Sequence, residues 1–171
     1  MKISKEMQSA INRQMNNEFY SAYLYLSMSA RASEMNMNGF ANWFEVQAKE
    51  EFYHGEGFMK YLIDRGGKVA ATGIEAIEMN WTSIEDMYQE SLEQEQIVSA
   101  DICAMIELAY KEKDYATVEF LNWYVREQVE EEASASEILE QIREGDSAPC
   151  VLFQIDKRLS KRELEKPEIW G

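Results

Sequence analysis

Proline is all but missing from this 171-residue chain: only Pro149 and Pro167 occur, so nothing before residue 149 breaks a helix in the way a proline ring does. Cysteine is equally scarce. Cys103 and Cys150 lie far apart and form no CxxC pair, which excludes a disulfide framework and a cysteine-rich zinc site. Cys103, between Ile102 and Ala104, reads as a small core residue. Basic residues are outnumbered, 17 against 32 acidic, for a formal net charge of −15. That balance excludes a nucleic-acid partner and attachment to an anionic membrane surface, since both need a basic face. Long apolar runs are missing too. The stretch 19–26 is too short and too tyrosine-rich to span a bilayer, and the opening MKISKEMQSAINRQ has no apolar export segment. A cytoplasmic protein is the expectation.

What is present is a core-forming composition, 46% hydrophobic and 12% aromatic, which suits one folded domain over 1–171 rather than an acidic disordered tail. The few glycines leave four long uninterrupted segments, at 4–34, 39–65, 83–112 and 115–144, and a short apolar one at 148–160 after Pro149. Helix punctuation sits at their edges. Arg65-Gly66-Gly67-Lys68 reads as a left-handed helix stop, Thr82 with Glu85 as a capping box, Asp114 as a cap, and Gly145 as a stop. The first two segments, and the third and fourth, are joined closely and must form antiparallel hairpins. The link from Gly66 to Trp81 is longer. Its roughly 16 residues reach about 50 Å when extended, against roughly 42 Å for a helix of about 28 residues. The link can therefore return along the whole bundle, which predicts an all-α, four-helix bundle with one long crossover and a short fifth C-terminal helix.

Alternating steps of four and three expose one buried seam per helix. The seams run Ile11, Met15, Glu18, Ala22, Tyr25, Ser29, then Phe40, Phe44, Gln47, Glu51, His54, Phe58, Tyr61. The third is Tyr88, Ser91, Glu95, Val98, Ile102, Met105, and the fourth Thr117, Leu121, Tyr124, Gln128, Glu131, Ala135, Ile138, Ile142. Each apolar stripe is interrupted near its middle by a carboxylate. Glu51 is followed one turn later by His54, the only histidine, and Gln128 by Glu131. Taken singly, a seam glutamate is a rim residue and a buried histidine a hydrogen-bonded core residue. Four at matching depth are different, because unpaired buried carboxylates cost several kcal/mol each and repel one another. Two divalent cations would balance Glu18, Glu51, Glu95 and Glu131. Oxygen-rich ligation with one imidazole suits iron or manganese and would accept zinc.

These residues also carry a resemblance. Asn17-Glu18-Phe19-Tyr20 with Tyr25, Gln47-Ala48-Lys49-Glu50-Glu51-Phe52-Tyr53-His54, Glu95, and the run from Phe120 to Glu132 containing Trp123-Tyr124 and Glu127-Gln128-Val129-Glu130-Glu131 resemble the non-haem ferritins of bacteria and archaea over nearly the full length. The resemblance implies iron storage and detoxification, with a ferroxidase centre inside each subunit of a 24-subunit homo-oligomeric shell. Glu18, Glu51 and His54 would hold one iron, and Glu51 would bridge to a second held by Glu95 and Glu131. Gln128 would orient dioxygen or a bound water, and Tyr25 is a candidate electron donor whose ordinary role would be a core phenol. Glu50, Glu127 and Glu130 match carboxylates that bind a third iron in many prokaryotic members; otherwise they are a solvated acidic face. Trp123, also in the motif, reads as a packing residue.

Departures from related families narrow the implication. The fourth helix offers Gln128-x-x-Glu131 where bacterioferritins and di-iron oxygenases carry a second Glu-x-x-His, which suits iron passing through as substrate. Phe52 stands where bacterioferritins place the haem-ligating methionine, so no haem is expected. Rubrerythrins need a CxxC domain, and mini-ferritins lack the fifth helix. Val118 and Leu121 beside Glu119 make the start of the fourth helix less acidic than the entry channel of animal ferritins. The alternatives are a discrete di-iron oxygenase or peroxidase, and a cation-buffering bundle without redox chemistry.

Overall fold

The computed structural model describes residues 2–166 and 169, so Pro167 lies outside the described residues. Helix α1 spans Lys5–Glu34, α2 Asn38–Asp64, α3 Ile84–Glu112, α4 Tyr115–Glu144 and α5 Pro149–Leu159. Side-chain caps start α1, α3 and α4, and backbone N–H groups close the C-terminus of every helix. No strand occurs among the described residues, and no helix is long and apolar enough to cross a membrane. Ser4 caps α1 and Asp114 caps α4, each accepting a backbone N–H from three residues on. Gly66 takes the left-handed conformation after α2, with φ +68°. Gly145 is the C-cap of α4 but keeps φ −83°, and the left-handed residues are the next two, Asp146 and Ser147.

The capping box of α3 is displaced by one residue from its expected place. Ser83, not Thr82, is the cap: its Oγ accepts from Asp86 N at 3.1 Å, and Asp86 Oδ2 accepts from Ser83 N at 2.9 Å and Thr82 N at 2.9 Å. Glu85 instead reaches across to the end of α4 and pairs with Arg143 at 2.9 Å.

Helices α1 and α2 form one antiparallel hairpin, α3 and α4 the other, and α1 lies against α3. The crossover runs alongside α1, held by a ladder of amide side chains. Lys68 N donates to Gln8 Oε1 at 2.9 Å, Ala70 N to Asn12 Oδ1 at 2.6 Å, and Thr72 N to Asn16 Oδ1 at 2.8 Å. Asn12 and Asn16 return bonds to the Lys68 and Ala70 carbonyls, both at 2.9 Å. The pitch matches: four helical residues rise about 6 Å, and two extended residues span about 6.6 Å. The link ends at buried Trp81, whose indole N–H donates to Glu90 at 2.6 Å.

Helix α5 docks on α2 through Asp156, whose Oδ1 accepts from Gly39 N at 2.7 Å and Phe40 N at 3.1 Å. It caps an N-terminus whose own cap residue, Met37, offers no side-chain bond. Contact here is so close that a Cβ on Gly39 would fall 1.7 Å from the Asp156 carbonyl oxygen.

Two apolar layers fill the bundle. One joins Tyr25, Met28, Phe40, Phe44, Tyr88 and Ile142; the other joins Ile11, Met15, Phe58, Ile102, Leu121 and Tyr124. The seam carboxylates lie in the polar slab between them. All predicted seam residues are buried except Ala22, which is half-buried. Cys103 is exposed rather than in the core, because the buried stripe of α3 passes through Val98, Ile102, Met105 and Ala109.

Candidate metal centre

Each helix of the bundle delivers its polar residue to this slab at the same height. Glu18 comes from α1, Glu51 and His54 from α2, Glu95 from α3, and Gln128 and Glu131 from α4. Glu18, Glu51 and Glu95 are each 1% exposed and His54 is 2% exposed, so bulk water solvates none of them. Glu18, Glu51 and His54 each place one ligand atom within 4.8 Å of the others, and so do His54, Glu127 and Glu131. The imidazole is common to both groups. Glu95 belongs to neither of these groups of three. Its carboxylate instead accepts from the Tyr25 hydroxyl and from Gln128 Nε2, the latter at 3.1 Å. Tyr25 Oη also lies 2.9 Å from Ser91 Oγ. Glu50 sits half-buried and paired with Arg162 at 2.5 Å, and Glu130 is exposed. Glu50, Glu127, Glu130 and Glu131 line a single polar cleft of about 790 Å³ together with Trp123.

Local packing explains the glycines beside His54. A Cβ on Gly57 would meet Tyr124 Oη at 2.4 Å, and that hydroxyl donates to the His54 carbonyl at 2.9 Å. A Cβ on Gly55 would meet the Phe19 ring at 2.7 Å. The helix accepts two poor helix formers here because larger residues would push α1 and α4 away from the imidazole. Trp123 closes edge-on against the His54 ring, with centroids 5.5 Å apart.

Charge in the slab follows from burial and proximity. Burial, reinforced by the Glu51 charge, holds the Glu18 carboxyl well above its usual range. Burial and the charges of Glu95 and Glu51 do the same to Glu131. Glu95 is pushed up to about 8, chiefly by burial and then by Glu51, despite the bonds from Tyr25 and Gln128. Burial would also raise Glu51, but His54 beside it, with Nδ1 3.2 Å from Glu51 Oε2, brings its carboxyl below the usual value. Burial would lower the imidazole, yet the Glu51 carboxylate raises His54 to about 9. In the metal-free cluster burial thus favours the neutral form of Glu18, Glu95 and Glu131, while the Glu51 carboxylate faces the His54 imidazolium. Even so, Glu18 Oε2 is buried without a hydrogen-bond partner. An orphaned acceptor next to a carboxylate and an imidazole is a donor set that fits a divalent cation.

A family model described as Ferritin-like domain matches residues 8–145. The chain belongs to the ferritin-like family. Relatives of this ferritin-like chain include the bacterial non-heme ferritin of Staphylococcus saprophyticus, 40% identical over 166 residues that cover 97% of this chain and 99% of the relative. The corresponding protein of Staphylococcus aureus strain MRSA252 is 38% identical over 165 residues, covering 96% and 99%. Among solved structures, a closed form of the Archaeoglobus fulgidus ferritin, engineered by mutagenesis, superposes with a TM-score of 0.93 at 41% identity, covering 96% of this chain and all of that one. The open-pore ferritin of the same archaeon superposes with a TM-score of 0.92 at 42% identity, covering 94% and 98%.

The geometry of the ferritin-like centre also includes residues to which sequence reasoning assigned no role. Gln14 Nε2 donates to Glu18 Oε1 at 2.8 Å, and Gln47 Nε2 donates to Glu51 Oε1 at 3.2 Å and to Glu131 Oε2 at 2.5 Å. Both glutamines lie one turn before the glutamate they hold, so a Gln-x-x-x-Glu spacing on the seam was the available signal. Arg162 carries no such signal. It lies after α5, outside any periodic segment, and reaches the centre only through the tertiary fold.

Proposed function

We propose that the chain is an iron-storage protein that oxidises Fe(II) at this cluster, using dioxygen or peroxide, and stores the ferric product in a 24-subunit shell. Iron is substrate and cargo in this reading. The observation that carries it is the burial of four carboxylates and the sole histidine in one cluster, with Glu18 Oε2 lacking any partner. Glu18, Glu51 and His54 would hold one Fe(II), while Glu95 and Glu131, sharing Glu51, would hold a second. Hard carboxylate oxygens favour the ferric state and so make the oxidation downhill. Two Fe(II) supply two electrons, enough to reduce dioxygen to hydrogen peroxide with two protons. Gln128, already donating to Glu95, has an amide placed to orient the oxidant or a water. Tyr25, bonded to Glu95, would pass an electron to the pair. Glu127, grouped with both His54 and Glu131, supports continuity between the pair and a third position at Glu50, Glu127 and Glu130. The whole chain, 1–171, would act as one unit in the cytoplasm, with no haem.

Oxygen consumption on Fe(II) addition, measured with the particle mass, tests this. The protein should consume oxygen and migrate as a particle of several hundred kilodaltons. Glu51→Ala and His54→Ala variants should keep that mass and lose fast oxidation; wild-type rates in both would sink the site assignment.

A further inference from the structure

The segment after α5 folds back over the outer side of the metal cluster. Asn42 Nδ2 donates to the Leu159 carbonyl at 3.1 Å and to the Arg162 carbonyl at 3.0 Å, pinning the strap to α2. Further along, the Lys166 ammonium lies 5.4 Å from the Tyr53 ring centroid. Between these anchors the Arg162 guanidinium is laid over the Trp43 ring, 4.8 Å from its centroid. Nη2 donates to Glu50 Oε2 at 2.5 Å, and Nη1 donates to Gln47 Oε1 at 2.8 Å. The second bond fixes which way the Gln47 amide points, so that its Nε2 faces Glu51 and Glu131. Glu50 is the most buried carboxylate of the cleft outside the cluster itself, and the guanidinium is the strongest influence opposing the effect of that burial on its charge.

A cation of the chain's own thus occupies Glu50, the carboxylate that the proposed function assigns to a third metal position. We propose that Arg162 is a tethered competitor at the outer mouth of the cluster: Glu50 becomes a metal ligand only when the Arg162–Glu50 pair opens. The strap thereby sets the affinity of the third position, which rests on the reading of the cluster as an iron centre. A planar guanidinium reaches Glu50 and Gln47 at once, so releasing Glu50 does not require the strap to detach.

Zn(II), which cannot be oxidised, is the probe, titrated calorimetrically into full-length protein. Wild type should show two tight steps and a weaker third. Arg162→Gln removes the competing charge, so the third step should tighten about tenfold or more, the scale of one charge-assisted pair. Arg162→Lys keeps a tethered cation and should restore a third step within about threefold of wild type. A third step in R162Q within about twofold of wild type overturns the inference alone. Loss of the third step in R162Q also overturns it, because the guanidinium would then be helping the metal to bind instead of competing with it. Absence of the two tight steps in wild type overturns the iron-centre reading, and this inference with it.

Discussion

Loading the cluster with a divalent cation should expel protons, and the structure sets how many. With Glu95 raised to about 8 and His54 to about 9, at pH 6.5 about 97% of Glu95 and over about 99% of His54 carry their protons. Burial favours the protonated form of Glu18 and Glu131 as well, while His54 favours the ionised form of Glu51. The metal-free cluster is therefore neutral overall, with the Glu51 anion facing the His54 cation. A ligand must be deprotonated to bind, so two divalent ions held as proposed would displace the protons of Glu18, Glu95, Glu131 and His54. Four charges enter and four leave, so the buried cluster stays neutral, which burial demands. The expectation is about two protons per metal at pH 6.5, falling as pH rises past 8. The apparent two-metal association constant should rise by up to about four decades per pH unit well below pH 8. Zn(II) titration calorimetry in buffers of different ionisation enthalpy measures the proton count directly. Fewer than about one proton per metal at pH 6.5 would refute the reasoning, since the carboxylates would then already be charged.

Stability of the metal-free protein should carry the same signature. Folded-state pKa values raised at Glu95 and His54 favour the folded state at low pH. The Glu95 contribution is lost between about 4.5 and 8, and that of His54 between about 6.5 and 9. The melting temperature should thus fall from pH 6 to pH 9 without metal and fall less with Zn(II), as differential scanning calorimetry would show; a rise without metal contradicts the charge assignment. Gly39→Ala should destabilise by about 3 kcal/mol in denaturant titration, because its Cβ collides with the Asp156 carbonyl and displaces the cap on α2. A change under about 0.5 kcal/mol would mean that α5 is not held there. Gln47→Leu should weaken Zn(II) binding about 10- to 100-fold, since Glu51 and Glu131 lose a shared donor. Unaltered affinity would show that the amide only packs.

The bundle was legible because its signal is redundant. Four seams of six to eight positions each tolerate an error, as at Ala22, without losing the face. The convergence of Glu18, Glu51, His54, Glu95 and Glu131 in one slab followed from matching depth along those seams. Single-residue features were less secure. Thr82 and Ser83 can both cap, and both Glu85 and Asp86 follow; burial of Ile84 and the shorter reach of aspartate select the later pair. Cys103 shows how far 100° carries a residue from its apolar neighbour Ile102. The split of carboxylates between groups was not readable, because periodicity fixes the height of Glu95 and Glu127 but not where each side chain turns. Thus Glu127 shares a group with His54 and Glu131, while Glu95 turns to Tyr25 and Gln128. Arg162 and the Asp156 cap depend on how α5 docks, a long-range event with no local pattern.

The amide ladder on α1 sets where this chain can change length. Rungs at every fourth residue of the helix meet rungs at every second residue of the crossover, so one extra residue between Lys68 and Thr72 would turn every later rung away. From Gly73 to Asn80 no such register is imposed, and among the described residues that stretch is mostly exposed. Insertions and deletions should therefore be confined to the second half of the crossover, which makes it the place to splice in a peptide tag or a new loop while leaving the bundle and its metal cluster in register.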